Sequence, residues 1–190
     1  MGHVGVLALQ GAFAAHLRAF AELGVRAVEV RTPADLAGVD ALVLPGGEST
    51  TMSKLLDSSG LRAPVGELLA AGVPAFGTCA GMIMLAARVT DGRPDQLGFG
   101  IVDITVRRNG YGRQVDSFET DLVVAGLPDP PFHAVFIRAP LVTAVGPAAT
   151  VLACHDGAPV LVRQGRTLVA AFHPELSHDP RLHERFLQEV

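Results

Sequence analysis

The sequence predicts an α/β fold, in which a mostly parallel sheet carries helices on both faces and is extended by antiparallel or mixed strands. In the first half of the chain, short β-branched runs alternate with segments of helical period, which is typical of a parallel sheet. From about residue 99 to 172, strand-like runs follow one another with turn residues between them. A composition of 49% hydrophobic and 18% charged residues favours a globular domain over a disordered chain.

The first half can be assigned element by element. The run HVGVLAL, residues 3–9, predicts a buried strand, and apolar residues at helical spacing across 12–23 predict the first helix. The runs RAVEVR and DALVLP predict strands two and three. Ser49 or Thr50 is predicted to cap the next helix, another helix covers residues 61–71, and PAFGTC predicts strand four.

The second half contains five strand-like runs and a final helix. The strands are predicted from FGIVDITVRR, AVFIRAP, TVLACHD, PVLVRQG and TLVAAF. The final helix covers residues 180–190, with Asp179 as its N-cap and Pro180 at its first position. Because there is no repeat, low-complexity stretch or linker, residues 1–190 are expected to form one domain.

Charge and cysteine content narrow the classes of function. The net charge is −4, Lys54 is the one lysine, and the arginines are scattered, so the sequence offers no basic stripe for nucleic acid. No apolar run approaches the roughly 18 residues that a membrane span needs. Two cysteines form no disulfide framework in a chain of this length, so a cytoplasmic location is expected.

Cys79 lies where the fourth predicted strand meets a second apolar run, AGMIML. Gly77 and Gly81 flank it two residues away on each side, as in the tight strand-to-helix turn that exposes a nucleophile at the carboxyl end of a sheet. The helix N-terminus favours a thiolate there, and the N–H of Ala80 can donate to an oxyanion. The alternative is a small buried cysteine that packs a strand end, but packing alone would not need both glycines.

A catalytic cysteine needs a base and a group that orients the base, and AAFHPEL offers both. His173 ends an apolar run, and Pro174 favours extended backbone, in which His173 and Glu175 face the same way. The alternative is a polar strand end. Cys154 and His155 are adjacent on a strand and point to opposite faces, so Cys154 is expected to be a small core residue. Five other histidines have no partners at metal spacing, and no metal site is predicted for them: His3, His16, His133, His178 and His183.

The stretch LVLPGGESTT brings Gly46 and Gly47 to the carboxyl edge of the sheet. Their bare backbone N–H groups can approach a substrate or a developing oxyanion closely. The alternative is a simple turn capped by Ser49, although such a turn would not need two glycines followed by an acid.

The motifs LALQG, PGGESTT, GTCAGMI, RNGYGRQVDSFE, FIRAP and FHPEL occur in an order and spacing that resemble the glutaminase subunit family of pyridoxal 5′-phosphate synthase, a class I, triad-type glutamine amidotransferase. The resemblance covers essentially the whole chain. It implies a three-layer, flavodoxin-like fold, with Cys79 attacking the side-chain amide of L-glutamine, His173 moving protons and Glu175 holding His173.

The resemblance also assigns binding roles. The N–H groups of Gly47 and Ala80 would form the oxyanion hole, and Gln10 would sense the partner. An arginine suits the α-carboxylate of free glutamine. The residues that would contact glutamine are Gly47, Glu48, Ser49, Arg108, Ile137 and Arg138.

The implied partner is a (β/α)8-barrel synthase that receives ammonia and builds pyridoxal phosphate from ribose 5-phosphate and glyceraldehyde 3-phosphate. In the family it is a dodecamer that carries up to twelve glutaminases, and no metal or organic cofactor is implied for this chain. Two alternatives remain. A related cysteine hydrolase or peptidase would share the turn at Cys79 without needing FIRAP. A regulatory module that had lost the chemistry would release no glutamate.

Overall fold

The computed structural model describes residues 3–93, 95–108, 110 and 117–190. The strands are β1 (His3–Leu7), β2 (Ala27–Val30), β3 (Val39–Leu44), β4 (Ala75–Thr78), β5 (Ala86–Val89), β6 (Val102–Arg107), β7 (Ser117–Leu122), β8 (Phe132–Ile137), β9 (Leu141–Val145), β10 (Thr150–His155), β11 (Ala158–Gln164) and β12 (Thr167–Ala170). The helices are α1 (Phe13–Glu22), α2 (Ser49–Ser58), α3 (Arg62–Ala70), α4 (Ala80–Leu85) and α5 (Arg181–Leu187), with short 3-10 turns at Pro33–Leu36 and Pro174–Leu176.

The main sheet has seven strands in the order β10-β11-β12-β4-β3-β1-β2. The five strands from β12 to β2 pair in parallel, and β11 and β10 are added antiparallel at one edge. Two smaller sheets, β5-β6-β9 and β7-β8, form the extension. The predicted α/β fold with a mixed extension is therefore confirmed. Parallel strands place their carboxyl ends at one edge, and the residues that follow β3, β4 and β12 meet there.

Two neighbouring residues of β4 show that helices cover both faces of the sheet. The Phe76 ring packs against His183 and Phe186 of α5, with ring centroids 5.6 and 5.5 Å apart. Gly77 faces α4, because a Cβ added there would lie 2.7 Å from Leu85 Cδ1. Since consecutive strand residues point to opposite faces, α5 covers one face and α4 the other. Among the described residues, no helix is long and apolar enough to cross a membrane.

Several local predictions differ from the structure. The cap of α2 is Glu48, whose side chain accepts the N–H groups of Thr50 and Thr51, so the prediction of Ser49 or Thr50 was wrong. Strands β5, β7 and β9 were not predicted, because their pairing depends on neighbours distant in sequence. Helix α5 begins at Arg181 with Pro180 as its N-cap, so the prediction of Asp179 as the N-cap and Pro180 as the first helical residue was wrong by one position, although the Asp179 carboxylate accepts the Arg181 N–H. Residues 111–116 of the motif RNGYGRQVDSFE, together with Asn109, lie outside the described residues.

Cys154 is exposed, so its prediction as a core residue was wrong. It lies on β10, the edge strand, where the pairing register with β11 shifts on either side of Ala153. The consecutive residues Leu152 and Ala153 are both buried, so the alternation of buried and exposed side chains along β10 is interrupted, and Cys154 lies on the exposed side. Such an irregularity breaks the period of two on which the prediction depended.

Candidate active site

Cys79 joins β4 to α4 in a strained conformation. Its φ is 48° and its ψ is −101°, values that non-glycine residues rarely adopt. The backbone is held from both sides, since Cys79 N donates to Ala170 O at 2.8 Å and Cys79 O accepts from Ile83 N at 3.2 Å. Gly81 lets α4 start against β3, because a Cβ there would lie 1.9 Å from Leu44 O. The turn thus presents the sulfur at the carboxyl edge of the sheet.

His173 and Glu175 form a hydrogen-bonded pair beside this turn. His173 follows β12, and its N–H donates to Val135 O of β8 at 2.8 Å. Its Nδ1 lies 2.7 Å from Oε1 of Glu175. The predicted pairing of these side chains is present, but Glu175 lies in the 3-10 turn Pro174–Leu176 and not in extended backbone. The side chains therefore meet across the start of a turn.

Gly46 brings Cys79 and His173 together. A Cβ added to Gly46 would lie 2.3 Å from Cε1 of His173 and 3.4 Å from Cβ of Cys79. The Cys79 sulfur also lies 3.9 Å from Ile137 O. Any larger residue at position 46 would displace the imidazole, so the observed position of His173 beside the turn at Cys79 requires glycine there.

The charges of the pair favour a protonated imidazole beside a carboxylate. Burial works against the cation, but hydrogen bonds with Cys79 and Glu175 and the charge of Glu175 outweigh it and raise the pKa of His173. Burial likewise opposes ionisation of Glu175, and nearby His16 together with the His173 hydrogen bond lowers the pKa of that carboxyl. The proton is therefore held on His173, where it can be given to a leaving group.

Gln10 and Ala12 hold the loop that carries Gly46 and Gly47. Ala12 N donates to Gly46 O at 3.0 Å, while Gln10 Oε1 accepts from Glu48 N at 3.2 Å and Gln10 Nε2 donates to Glu48 O at 3.4 Å. A Cβ on Gly47 would lie 2.5 Å from the Gln10 amide. Because C=O and N–H of a trans peptide point in opposite directions, the Gly47 N–H points away from Ala12.

Glu48 links the start of α2 to Arg108. Its carboxylate accepts the N–H groups of Thr50 at 3.0 Å and Thr51 at 2.7 Å, and Arg108 Nη2 donates to it at 2.8 Å. Partial burial raises the pKa of this carboxyl, but the hydrogen bonds from Thr50 and Thr51 prevail and lower it to about 2. Glu48 is therefore ionised at any pH near neutrality.

The predicted residues surround one cavity of about 240 Å³. It is lined by Gly47, Glu48, Ser49, Cys79, Ile83, Arg108, Ile137, Arg138 and His173. Three predicted residues do not line it: Ala80 is buried directly behind Cys79 as the first residue of α4, Gln10 lies behind Gly47, and Glu175 lies behind His173, to which it is hydrogen-bonded. Arg138 has a positive φ of 44° and an exposed side chain.

Two residues around this site were not predicted from the sequence, and a third was predicted for a different role. Ile83 lines the cavity one helical turn after Cys79, a spacing that could have indicated it. Gly46 was predicted to approach a substrate and not to pack against His173. His16 was assigned no role, yet its Nε2 lies 3.4 Å from Oε2 of Glu175. Its position on the apolar stripe of α1, between Phe13 and Phe20, was the available signal.

Comparison with known proteins gives a consistent family likeness. The SNO glutamine amidotransferase family matches residues 6–190 of the chain. The pyridoxal 5′-phosphate synthase subunit PdxT of Acidothermus cellulolyticus is 57% identical over 192 residues, covering 98% of this chain and 93% of that protein. The protein of the same name from Deinococcus radiodurans is 57% identical over 187 residues, covering 97% and 95%.

Solved structures agree with this likeness. A crystal structure described as a glutamine amidotransferase matches with a TM-score of 0.91 at 50% identity, covering 98% of this chain and 97% of that chain. The structure of PurLQS from Thermotoga maritima matches with a TM-score of 0.63 at 16% identity, covering 100% and 98%, which is a likeness of fold alone.

Proposed function

The chain belongs to the SNO glutamine amidotransferase family, and from that premise we propose that Cys79, His173 and Glu175 carry out its chemistry. Its fold is the expected class I glutamine amidotransferase fold. The chain hydrolyses L-glutamine as the glutaminase subunit of pyridoxal 5′-phosphate synthase and supplies ammonia for vitamin B6 synthesis. The observation that supports the triad most directly is the strained Cys79 at the mouth of the cavity, beside the His173 and Glu175 pair.

In the first half-reaction, the Cys79 thiolate attacks the side-chain carbonyl carbon of glutamine. A C–S bond forms, the C=O electrons move to oxygen, and a tetrahedral oxyanion results. The Ala80 N–H at the start of α4 and the Gly47 N–H are the donors we assign to this oxyanion. The intermediate collapses when the C–N bond breaks, and His173 gives its proton to the leaving nitrogen, which departs as ammonia.

In the second half-reaction, neutral His173 removes a proton from water, and the resulting hydroxide attacks the thioester carbon. A second oxyanion forms at the same donors and collapses as the C–S bond breaks. The product carboxyl group gives its proton to solvent, glutamate leaves, and the Cys79 thiolate and protonated His173 are restored. Glu175 accepts the Nδ1–H of His173 throughout, which keeps Nε2 directed at the reacting atoms.

Six cavity residues are the ones we assign to glutamine binding: Gly47, Glu48, Ser49, Arg108, Ile137 and Arg138. The Arg108 guanidinium is already bound to Glu48, whereas Arg138 makes no ion pair among the residues that the structure describes. We therefore expect Arg138 to take the α-carboxylate of glutamine, and Arg108 with Glu48 to shape the cavity beside it.

The chain works with a synthase partner. We assign this partner a (β/α)8-barrel fold and a dodecameric state with up to twelve bound glutaminases. We also assign partner sensing to Gln10, because its side chain contacts the loop whose Gly47 N–H completes the oxyanion hole. Both cysteines are free, which fits the reducing cytoplasm that we propose as its location.

Glutamate release by two cysteine variants, measured with the synthase present, tests the triad. We expect Cys79→Ala to abolish turnover, because no other group in the cavity can form the thioester. Cys154→Ala is the matched control, since Cys154 is exposed on the edge strand, and its turnover should stay within about 2-fold of the parent chain. Equal loss in both folded variants would contradict the assignment.

A further inference from the structure

A row of buried polar side chains continues from the triad into the space between the sheet and two helices. His16 Nε2 of α1 lies 3.4 Å from Glu175 Oε2 and 3.2 Å from Thr78 Oγ1, and His16 Nδ1 lies 2.9 Å from His183 Nε2 of α5. The side chains of His16 and Glu175 are fully buried, as is His183. The row therefore starts at the carboxylate oxygen that His173 leaves free.

Both histidines of this row are neutral. Burial lowers the pKa of His16, although the charge of Glu175 opposes the effect. Burial lowers the pKa of His183 to about 3, and the repulsion that a protonated His16 would add is a smaller cause. The rings of Phe20 and Phe76 pack against His183 at centroid distances of 5.1 and 5.6 Å. Each imidazole therefore carries one N–H, and its position can be deduced from its neighbours.

One placement of the two imidazole protons, on His16 and His183, gives each N–H an acceptor. If His183 carries its proton on Nε2, it donates to His16 Nδ1, and the proton of His16 lies on Nε2, facing Glu175 Oε2 and Thr78 Oγ1. In the opposite placement, the His16 Nε2 lone pair would face a carboxylate oxygen. The N–H of His183 would then be on Nδ1, which has no hydrogen-bond partner in the described part of the chain. The first placement is therefore favoured.

We propose that His16 is a positioning residue for glutamine hydrolysis: its Nε2–H, oriented by His183, holds Oε2 of Glu175 so that Oε1 faces His173 Nδ1. The proposal depends on the proposed triad and adds to it a partner on the far side of the carboxylate. Glu175 Oε2 has no aligned hydrogen bond among the described residues, and the His16 Nε2–H, fixed in place by its hydrogen bond to Thr78 Oγ1, opposes rotation of the carboxylate through the attraction of its dipole.

Removal of this N–H should affect chemistry more than binding. His16 does not line the cavity and touches none of the residues we assign to glutamine. Without it, a buried carboxylate oxygen would lose its charge-stabilising neighbour, so the pKa of Glu175 would rise. Protonation of Glu175 would then remove the acceptor that orients His173, and turnover would fall.

The pH dependence must be judged against every charged group near Glu175. His173 and His16 contact the carboxylate directly, and His183 acts through His16. Other titratable residues line a cavity that Glu175 borders on its outer side: Arg18, Glu22, His178 and Asp179. These four residues are unchanged in every variant below, so their effect on the pH profile is the same in each variant.

The test is steady-state glutamate release with the synthase present, using His16→Leu and His16→Gln. Leu removes the donor, whereas the Gln amide nitrogen can occupy the place of the ring Nε2. For His16→Leu we expect kcat to fall on the order of 10-fold, the lower end of losses for partners that orient a functional histidine. We expect KM to stay within about 2-fold and the acid limb of kcat/KM to move to higher pH. His16→Gln should restore most of kcat and the parent pH limb.

Phe20→Leu is the matched control, because Phe20 packs against His183 in the same buried region without a polar contact. It should lower thermal stability while leaving kcat and the pH limb of the folded protein unchanged. If His16→Leu does not fold, His183→Phe serves instead, since it keeps a ring and removes the group that orients His16. His183→Phe should lower kcat, as expected for His16→Leu.

The outcomes separate this proposal from the triad. Parent-like kcat in His16→Leu, or in His183→Phe where that variant replaces it, overturns the positioning role. So does a loss that His16→Gln does not reduce, or an equal loss in Phe20→Leu. Inactivity of Cys79→Ala in the same assay keeps the proposed function in each of these cases, whereas turnover by Cys79→Ala contradicts the triad itself.

Discussion

Replacement of Glu48 by Ala should weaken both the start of α2 and glutamine binding. The carboxylate accepts two backbone N–H groups, from Thr50 and Thr51, and binds Arg108. A pKa of about 2, against 4.5 for the ordinary group, sets an upper limit of ~3 kcal/mol on its contribution to stability at neutral pH. Because 48% of the side chain is exposed, solvent screening reduces this to about 1 kcal/mol. That value lies within the ~0.5–2 kcal/mol typical of an N-cap carboxylate or hydroxyl.

The sign of the pH dependence follows from the lowered pKa. The contribution of Glu48 is fully present above pH 4.5, the pKa of the ordinary group, and is lost as the pH falls through the folded value of about 2. The difference in unfolding free energy between the parent chain and Glu48→Ala should therefore be constant near neutrality and narrow below pH 4.5. At neutral pH, 1 kcal/mol corresponds to a Tm shift of roughly 2–4 °C for a chain of this size.

The assay combines urea unfolding from pH 7 to pH 3.5 with glutaminase kinetics in the presence of the synthase. Loss of Glu48 also frees the Arg108 side chain. If this weakens the binding free energy of glutamine by about 1 kcal/mol, KM rises roughly 5-fold. Asp35→Ala is the matched control. Asp35 likewise accepts N–H groups, from Arg31 and Thr32 at the 3-10 turn Pro33–Leu36, but it does not line the cavity. It should leave KM unchanged.

Two results would refute this reasoning about Glu48. One is a stability difference between the parent chain and Glu48→Ala that stays the same from pH 7 to pH 3.5. The other is a KM for Glu48→Ala no higher than that of Asp35→Ala, which would mean that the contact with Arg108 has no part in binding glutamine.

Two further predictions concern the base and the partner. His173→Asn should lower turnover by roughly 10²- to 10⁴-fold and leave glutamine bound, as calorimetry can check; a variant that no longer binds glutamine would make His173 a binding or structural residue. The isolated chain should be a weaker glutaminase than the chain with saturating synthase, because Gln10 contacts the loop that carries the Gly47 N–H, and docking of the synthase near Gln10 would fix the direction of that N–H. Loss of one oxyanion donor lowers kcat on the order of 10²- to 10³-fold, which sets an upper limit on the activation by the synthase. Equal rates of steady-state glutamate release with and without synthase would show that the oxyanion hole is already formed.

The sequence by itself was sufficient for the fold class and for the proximity of the three residues that we propose as the triad. Alternation of strand and helix patterns predicted the parallel sheet, and the glycines around Cys79 predicted its turn, because these signals lie within a few residues of one another. His173 and Glu175 were predicted together for the same reason, since they are two positions apart. Their roles in catalysis stay predictions that the variants above can test.

The tertiary structure decided the features that depend on contacts between distant parts of the chain. Gly46 packs against His173, 127 positions away in sequence, and His16 meets His183 across 167 positions. No local pattern encodes such contacts, so His16 was passed over and Cys154, placed outside by an irregular strand pairing, was expected to be buried. Glu48 caps α2 through the nearby N–H groups of Thr50 and Thr51, whereas its contact with Arg108, 60 positions away, depends on the tertiary structure.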